Sequence, residues 1–401
     1  MNNIKFLFLV YMLLQTAFMM ILPVIGPVIR TQGLEEWHAG LIVSLSGLFW
    51  MLTAKFWGQK SDQIGRKKVL MPLTLGFFIS YLLWAGFIGY TLHHPLSIVT
   101  MLLVMLILRC VIAAFFSGIN PVMVGYIADH YEPEQRASKI AMLGAAAGIA
   151  IFLGPFIGGL LSSIDLAFAF YFAAILPIFA LILTYVKVRE SDALISNVIE
   201  KVNLKMTDSR LRFEVLVMFL TMNCIFTFNM CIGFFSKDHL NLATQQESAT
   251  IAGMTLSAVG LTLIIVQILI SKFKPKRHLF LLALGMLCMG LGIFMFTFTQ
   301  GLFFFVFSAV IMGVGGGLIM PMINTITSLS VKANEQGAAS GLISAAQGLS
   351  MLVTPLIATV LYHYKNELPY WIAGGLLLLS LLLIPKHFNT QQKLEFARSD
   401  I

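Results

Sequence analysis

Long apolar runs, many of them about 20 residues in length, recur from the beginning of the chain to its end. At about 1.5 Å of rise per residue, a helical run of this length crosses the roughly 30 Å of hydrocarbon in a bilayer. The alternating apolar and polar residues of barrel strands are absent. Because lipid offers no partners to backbone polar groups, the helix is the remaining structure that satisfies them. The sequence therefore predicts an all-α polytopic membrane protein.

The amino-acid composition agrees with a membrane-embedded chain. Hydrophobic residues make up 58% of the sequence and charged residues only 11%, whereas soluble globular chains contain about 25% charged residues. We expect the first run, 6–29, to be kept as a membrane helix, because it is too long for a secretory signal and lacks a small-residue cleavage site. The cysteines lie within apolar runs, which indicates small core residues and not disulfides: Cys110, Cys224, Cys231 and Cys288. Twelve spans are predicted, at approximately 6–29, 37–57, 69–90, 97–127, 139–161, 167–187, 213–235, 249–271, 278–298, 301–328, 337–362 and 368–385.

The positions of the basic residues predict the orientation of these helices. Outside the spans, the side of the N-terminus carries almost every Lys and Arg, and the opposite side has only Arg30, Lys237 and Lys365. This asymmetry is typical of the positive-inside rule and predicts a multi-pass protein of the bacterial inner (cytoplasmic) membrane with both termini in the cytoplasm. The net charge of +8 then reflects topology, and no nucleic-acid partner is expected.

The longest hydrophilic connection divides the chain into two sets of six spans. We therefore predict an N-terminal six-helix bundle at 1–188, a cytoplasmic linker at 189–211, and a C-terminal six-helix bundle with a short cytoplasmic tail at 212–401. The mixed charges of the linker indicate a solvated, partly helical segment without a binding motif.

The loop after the second span has the pattern G-x-x-x-D-x-x-G-R-K, formed by Gly58, Asp62, Gly65, Arg66 and Lys67. Its glycines allow two helices to turn back tightly at the membrane surface. Asp62 is an acid with basic neighbours. Either these cations or the N-terminus of a nearby helix would stabilise its negative charge. Arg66 can pair with an acid such as Asp129 at the end of the fourth span. This loop is predicted to be a gating latch; a plain tight turn with topogenic charges is the alternative.

This loop resembles the signature motif of the major facilitator superfamily, although Lys60 stands where an apolar residue is usual. The resemblance implies the major facilitator fold, with twelve transmembrane helices in two six-helix bundles. It also implies that Asp62 caps the eleventh helix and that Arg66 meets Asp129 of the fourth.

The fifth span carries small residues at intervals of four, which give a flat face for close packing of another helix. Pro155 removes a backbone hydrogen bond and permits a kink. The segment is similar to the motif G-x-x-x-G-P-x-x-G-G of drug:proton antiporters in the superfamily, with Ala150 in place of the first glycine. That resemblance implies an exporter. The predicted hinge-packing residues are Gly144, Gly148, Gly154, Pro155, Gly158 and Gly159.

Arg109 lies deep in the fourth span, where an exposed cation would cost several kcal/mol. Its place resembles that of the conserved arginine of the family's fourth helix, although the Gln-Gly that commonly follows is missing. Because no acid falls near mid-membrane on this span assignment, the residue predicts an anionic or zwitterionic substrate. The alternative is that Gln15, Asn120 or backbone carbonyls satisfy Arg109.

Other polar and aromatic residues fall at the depth of a central cavity. With Arg109, the predicted substrate-binding residues are Gln15, Asn120, Asn223, Phe226, Asn229 and Asn324. Each amide has an alternative role as interhelical glue.

These observations predict proton-coupled efflux of a small amphipathic or anionic compound, either drug-like or a carboxylate metabolite such as a siderophore, by alternating access. The expected partners are the substrate, protons and the lipid bilayer, and the expected state is a monomer without cofactor or metal. Peripheral carboxylates (Asp62, Asp129 or Asp165), or the substrate itself, would carry the proton. An importer or facilitator of a small organic anion stays open. A membrane enzyme would need a cluster of His, Asp or Cys, and a non-transporting receptor would need neither latch nor buried arginine.

Overall fold

The structure is a computed structural model, and it describes residues 3–188, 208–273, 275, 277–332 and 335–384. Most of the predicted linker, from 189 to 207, and the tail after 384 lie outside the described residues. Over the described part, the chain is almost entirely helical.

Fourteen α-helices follow one another in the described residues. Their bounds are α1 (Asn3–Met19), α2 (Ile25–Thr31), α3 (Glu36–Ile64), α4 (Arg66–His93), α5 (Ile98–Phe116), α6 (Ile119–His130), α7 (Pro133–Ser162), α8 (Leu166–Lys187), α9 (Arg212–His239), α10 (Gln245–Phe273), α11 (His278–Phe298), α12 (Leu302–Ser330), α13 (Gln336–Tyr364) and α14 (Leu368–Ser380).

These helices make twelve crossings, because α1 and α2 form the first together and α5 and α6 the fourth. Ten spans in the described residues are long and apolar enough to cross a membrane, and Ile98–His130 is one continuous span of that kind. Two shorter apolar helices, Ile4–Met19 and Leu368–Leu383, complete the set. The predicted all-α polytopic fold is confirmed.

The first crossing differs from the single run predicted at 6–29. Its helix stops at Met19 and starts again at Ile25, with Pro23 in the interruption. Proline has no backbone N–H and disfavours helical geometry in the residue before it. The interruption lets α2 approach α9 of the other bundle.

The two bundles meet through a reciprocal pair of contacts. The second crossing of the first bundle, α3, packs on the fifth crossing of the second bundle, α13, and α7 packs on α10 in the same relation. Such exchange of equivalent partners is expected of two halves built as repeats.

We call the end of the molecule with the α3–α4 and α12–α13 connections the basic end, and the opposite end the far end. The two bundles touch close to the far end: Ser44 accepts a hydrogen bond from the backbone N–H of Leu356 at 3.1 Å. A Cβ at Gly159 would lie 2.9 Å from the Cα of Gly253. Towards the basic end, a Cβ added at Gly144 would meet nothing within 4 Å. The bundles therefore diverge towards the basic end.

Candidate functional site

Arg109 lies in α5 and its side chain is almost fully enclosed, at 4% exposure. The guanidinium carbon sits 4.7 Å from the ring centre of Phe18 and 5.4 Å from that of Trp84. Phe18 is itself stacked on Phe116 at 4.4 Å. Two aromatic rings therefore lie against the guanidinium and stabilise its charge in part.

Two buried nitrogen donors on neighbouring residues of the same cavity wall have no acceptor among the described residues. Arg109 Nη1 and Trp84 Nε1 are both buried, and neither has a hydrogen-bond partner among the described residues. A buried donor without a partner carries an appreciable free-energy cost. Neither Gln15 nor Asn120 accepts a hydrogen bond from Arg109 Nη1. The alternative in which these amides or backbone carbonyls satisfy Arg109 is therefore not observed at that atom.

Arg109 and Trp84 line a cavity of about 100 Å³ that both bundles enclose. Phe226 and Asn229 enter it from α9, and Pro355 enters it from α13. The cavity thus lies between the two bundles, and Arg109 is the charged side chain in its wall. An anion placed there would meet a cation, an indole donor and an amide.

A second cavity of about 250 Å³ adjoins the first and shares part of its lining, including Met19, Leu22, Phe226 and Asn229. Its remaining wall is apolar and rich in thioethers. Methionine side chains are flexible and polarizable, so they adapt to apolar groups of different shapes. The methionines that line this second cavity, called the methionine wall below, are Met19, Met222, Met289, Met312 and Met320.

The structure brings three of the seven predicted substrate-binding residues together at these cavities: Arg109, Phe226 and Asn229. The other four are not among the lining residues. Gln15 and Asn223 are half-buried, and Asn120 and Asn324 are exposed.

Trp84, Phe18 and the methionine wall were not singled out from the sequence. Trp84 is one of many aromatic residues in apolar spans, and only its position beside Arg109 distinguishes it. The sequence signal for the methionine wall is the high methionine count, 22 in all, which says nothing of where the side chains converge.

At the basic end, Arg66 holds two acids. Its Nε donates to Asp129 Oδ2 at 2.7 Å, and its Nη1 forms an ion pair with Asp62. The guanidinium lies flat on Gly125, where a Cβ would come within 2.5 Å of Cζ. Gly65 has a φ of +104°, a conformation open to glycine and strained for other residues. In this conformation no hydrogen bond joins Asp62 to α13 among the described residues.

Lys67 and Gly58, the other members of the motif, lie at the margins of this cluster. Lys67 Nζ donates to the carbonyl of Tyr185 in α8 at 2.8 Å. A Cβ at Gly58 would have only Pro121 as a neighbour, at 3.7 Å. The motif thus ties α3, α4, α6 and α8 of the first bundle together.

The small residues of α7 divide into three groups. Gly154 and Gly158 pack against Met19 and Met20 of the first crossing, within one bundle. Pro155 and Gly159 face Gly253 of α10 in the other bundle, where a Cβ on Gly253 would lie 2.5 Å from the Pro155 carbonyl oxygen. Gly144 faces open space, and Gly148 has only the side chain of Ile264 nearby, at 3.6 Å.

Comparison with protein families identifies the architecture. The model of the family described as Major Facilitator Superfamily matches residues 7–299 and 268–397. This chain belongs to the Major Facilitator Superfamily. The membership predicted from the loop at 58–68 and from the fifth span is therefore confirmed, and the protein is a multi-pass membrane transporter and not an enzyme.

Curated relatives in the superfamily are drug-resistance proteins. The chain is 23% identical over 373 residues to the quinolone resistance protein NorA of Staphylococcus aureus (strain Mu50), covering 91% of each. It is 24% identical over 343 residues to the class B tetracycline resistance protein of Escherichia coli, covering 83% of this chain and 80% of that one.

Solved structures share the fold at lower identity. The nucleoside transporter NupG superimposes with a TM-score of 0.76 at 13% identity, covering 96% of this chain and all of the other. The human organic anion transporter MFSD10 superimposes with a TM-score of 0.67 at 19% identity, covering 95% and 98%. Members of the superfamily carry small molecules, so the cavities between the bundles are the place to look for a substrate.

Proposed function

We propose that this transporter exports a small amphipathic anion by alternating access, driven by a proton gradient. The observation that carries the proposal is the pair of unpartnered donors, Arg109 Nη1 and Trp84 Nε1, on two residues that line a cavity between the bundles. A carboxylate has two acceptor oxygens and a negative charge, and so satisfies both donors and the charge at once.

The adjoining cavities suit the two parts of one amphipathic molecule. The acidic group would bind beside Arg109 in the smaller cavity, and the apolar remainder would extend past Phe226 into the methionine-lined one. Cavities of about 300–1,000 Å³ hold drug-sized ligands. Volumes of about 250 Å³ and about 100 Å³ therefore favour a compact aryl or alkyl carboxylate over a large siderophore.

The sequence relatives support the direction and chemistry of transport. Proteins named for resistance to quinolones and tetracyclines protect cells against such compounds, which favours export. Quinolone drugs carry a carboxylate, and one structural neighbour is described as an organic anion transporter.

The proposed cycle has two bundles, 1–188 and 212–401, that rock about their contacts while the linker at 189–211 joins them. The basic end would face the cytoplasm of a bacterium, with the chain acting as a monomer in its inner membrane. The divergence of the bundles at that end then corresponds to the state that loads substrate from inside. The cluster of Arg66, Asp62 and Asp129 would act as a latch when the bundles close there, and the α7–α10 contact at Gly159 would act as the hinge surface.

The test compares a quinolone carboxylic acid with its methyl ester in liposomes that contain the purified protein under an imposed pH gradient. Wild type is expected to transport the acid and to discriminate against the ester. Because charge-assisted hydrogen bonds contribute about 1.5–3 kcal/mol, Arg109→Ala should raise KM for the acid about 10- to 150-fold. Arg109→Lys should recover part of this loss, since it keeps the charge and lacks the planar fork.

Trp84→Phe is the matched variant, because it keeps the aromatic face and removes one N–H. A hydrogen bond to a charged acceptor such as a carboxylate contributes about 1.5–3 kcal/mol, so KM for the acid should rise about 10- to 150-fold. Equal transport of acid and ester, or unchanged kinetics in Arg109→Ala, would contradict the anion site. Accumulation only with the opposite sign of gradient would identify an importer.

A further inference from the structure

The far end carries an ionic cluster that joins the two bundles, and neither motif includes it. Arg30 of α2 donates to both oxygens of Asp238 in α9, from Nη1 at 2.6 Å and from Nη2 at 2.7 Å. The same guanidinium donates to Glu36 of α3, from Nε at 3.0 Å and from Nη2 at 2.7 Å. Arg30 and Glu36 belong to the first bundle, so the bonds from Arg30 to Asp238 cross between the bundles.

Further side chains of the second bundle hold Asp238 in place. Tyr362 of α13 donates its O–H to Asp238 Oδ2 at 2.7 Å, and Asn366 lies 3.4 Å from the same oxygen. The Arg30 guanidinium also stacks 5.1 Å from the ring centre of Phe234 in α9. The second bundle therefore presents a prepared receptor for the arginine of the first.

The backbones beside the cluster are in close contact. A Cβ at Gly26 of α2 would lie 3.3 Å from the backbone nitrogen of Phe234, and one at Gly233 would lie 2.7 Å from Pro27. The same crossing contributes Ile25 to the wall of the cavity beside Arg109. The cluster thus covers the cavity on its far side.

We infer that the Arg30–Glu36–Asp238 cluster is a gate at the far end and that Asp238 is a proton-binding site that opens it. A proton that adds to a carboxylate oxygen of Asp238 yields a neutral carboxyl and removes the charge that holds Arg30 across the interface. Glu36 still pairs with Arg30 within the first bundle, so no charge in the opened gate is left without a counter-ion. The side chain of Arg30 is 20% exposed and that of Asp238 is 24% exposed, so a proton can reach the Asp238 carboxylate from the far side.

The titratable groups around the cluster come from every helix packed on it. His363 Nδ1 of the second bundle lies 3.7 Å from Glu36 Oε2 of the first, so this contact also crosses between the bundles. Every variant in the test therefore carries His363→Gln, which removes this second titratable contact. Lys237 and His239 bond to backbone carbonyls of Leu242 and Thr299 and not to Asp238. Tyr362 of α13 and Tyr370 of α14 also interact electrostatically with Asp238, and the Cys231 thiol of α9 interacts with Glu36.

A cysteine that reports opening of the far end provides the test, and it needs no knowledge of the substrate. Ser44 is buried where α3 meets α13, so Ser44→Cys should react with a membrane-impermeant maleimide only when the far end opens. The native cysteines are first replaced by alanine. Ser163→Cys, at an exposed position of the far end, is the reference. Each Ser44→Cys rate is divided by the Ser163→Cys rate at the same pH, which removes the pH dependence of thiol reactivity.

In intact cells the normalised rate should rise about 10-fold or more between neutral and acidic medium, in the range of typical conformational couplings. Asp238→Asn imitates the protonated side chain, so it should label rapidly at both pH values. Arg30→Gln removes the other partner and should do the same. Glu247→Gln is the control, because this far-end acid accepts hydrogen bonds from the backbone N–H groups of Ala243 and Thr244 within its own bundle.

The inference would be overturned if Asp238→Asn and Arg30→Gln both label slowly at neutral pH, at the rate of the protein in which Asp238 and Arg30 are intact. The inference rests on the proposed orientation, in which the far end faces outward. An unreactive Ser163→Cys would overturn that orientation and the inference with it. A gate that responds as expected in a protein that carries no anion would support the inference and contradict only the proposed substrate.

Discussion

Replacing Arg109 by methionine should stabilise the ligand-free protein and at the same time abolish anion binding. The side chain is buried, and its Nη1 has no hydrogen-bond partner among the described residues. A buried charge without a partner costs several kcal/mol. The aromatic faces of Phe18 and Trp84 offset about 0.5–2 kcal/mol each. The deficit that remains is a cost that the protein bears in order to bind its substrate.

Methionine has a similar length and no charge, and its thioether packs well on aromatic rings. Exchange of a buried ionic group for well-packed apolar side chains stabilises proteins by about 1–4 kcal/mol. The midpoint of thermal unfolding in detergent should therefore rise by about 2 °C or more in Arg109→Met. Met351→Leu, a volume-conserving change in the same cavity wall, should leave the midpoint nearly unchanged.

The same measurement with a ligand separates binding from folding. Addition of an aryl carboxylate should raise the unfolding midpoint of wild type, because a ligand that binds only the folded state stabilises it. It should not raise the midpoint of Arg109→Met. A methionine variant that unfolds below wild type, or one that the carboxylate still stabilises, would refute the reasoning that Arg109 is a charge held ready for an anion.

Two further predictions concern the interface between bundles and the basic end. A Cβ at Gly253 would lie 2.5 Å from a carbonyl oxygen of α7, and overpacking costs about 1–3 kcal/mol, so Gly253→Leu should disfavour the closed far end about 5- to 150-fold. Spin-label distances across the basic ends should then shorten. Gly144→Leu, at a position without neighbours, should leave these distances unchanged. At the basic end, hydrogen bonds from Arg210 hold the pKa of the Asp208 and Glu335 carboxyls below their ordinary values of 3.8 and 4.5. Because the pKa values of these two carboxyls are lowered in the folded state, the stability that the carboxyls contribute is fully present above about pH 5 and is lost as the pH falls through the lowered values. When the pH is lowered from about 6 to about 3, the midpoint of thermal unfolding should therefore drop less in Asp208→Asn than in wild type.

The fold could be predicted from the sequence because its determinants are local. A run of about 20 apolar residues is long enough to define a membrane helix without reference to any neighbour. The break between Met19 and Ile25 was missed because apolar residues surround it, although Pro23 marks it. The loop at 58–68 and the small-residue pattern of the fifth span then indicated the superfamily.

The site was predicted less completely, for a reason of geometry. Sequence fixes the depth of a residue in a membrane helix, but a helix that is apolar on every side gives no periodicity to show which face looks inward. Arg109 stood out because a buried charge is costly wherever it points. Asn229 and Asn324 are both single amides in long apolar helices, yet only Asn229 lines the two cavities beside Arg109.

The far-end cluster lies beyond such reasoning altogether. Arg30 and Asp238 are separated by 208 positions, and each has the appearance of an ordinary loop charge next to a span. Only the approach of α2 to α9 turns them into a pair.

A structure of the protein with an aryl carboxylate bound is the most direct measurement of whether Arg109 and Trp84 form an anion site. The account predicts a carboxylate oxygen about 2.7–2.9 Å from Arg109 Nη1, with the apolar part of the ligand against Phe226 and the methionine wall. A ligand bound elsewhere, with Arg109 Nη1 and Trp84 Nε1 still without acceptors, would contradict it.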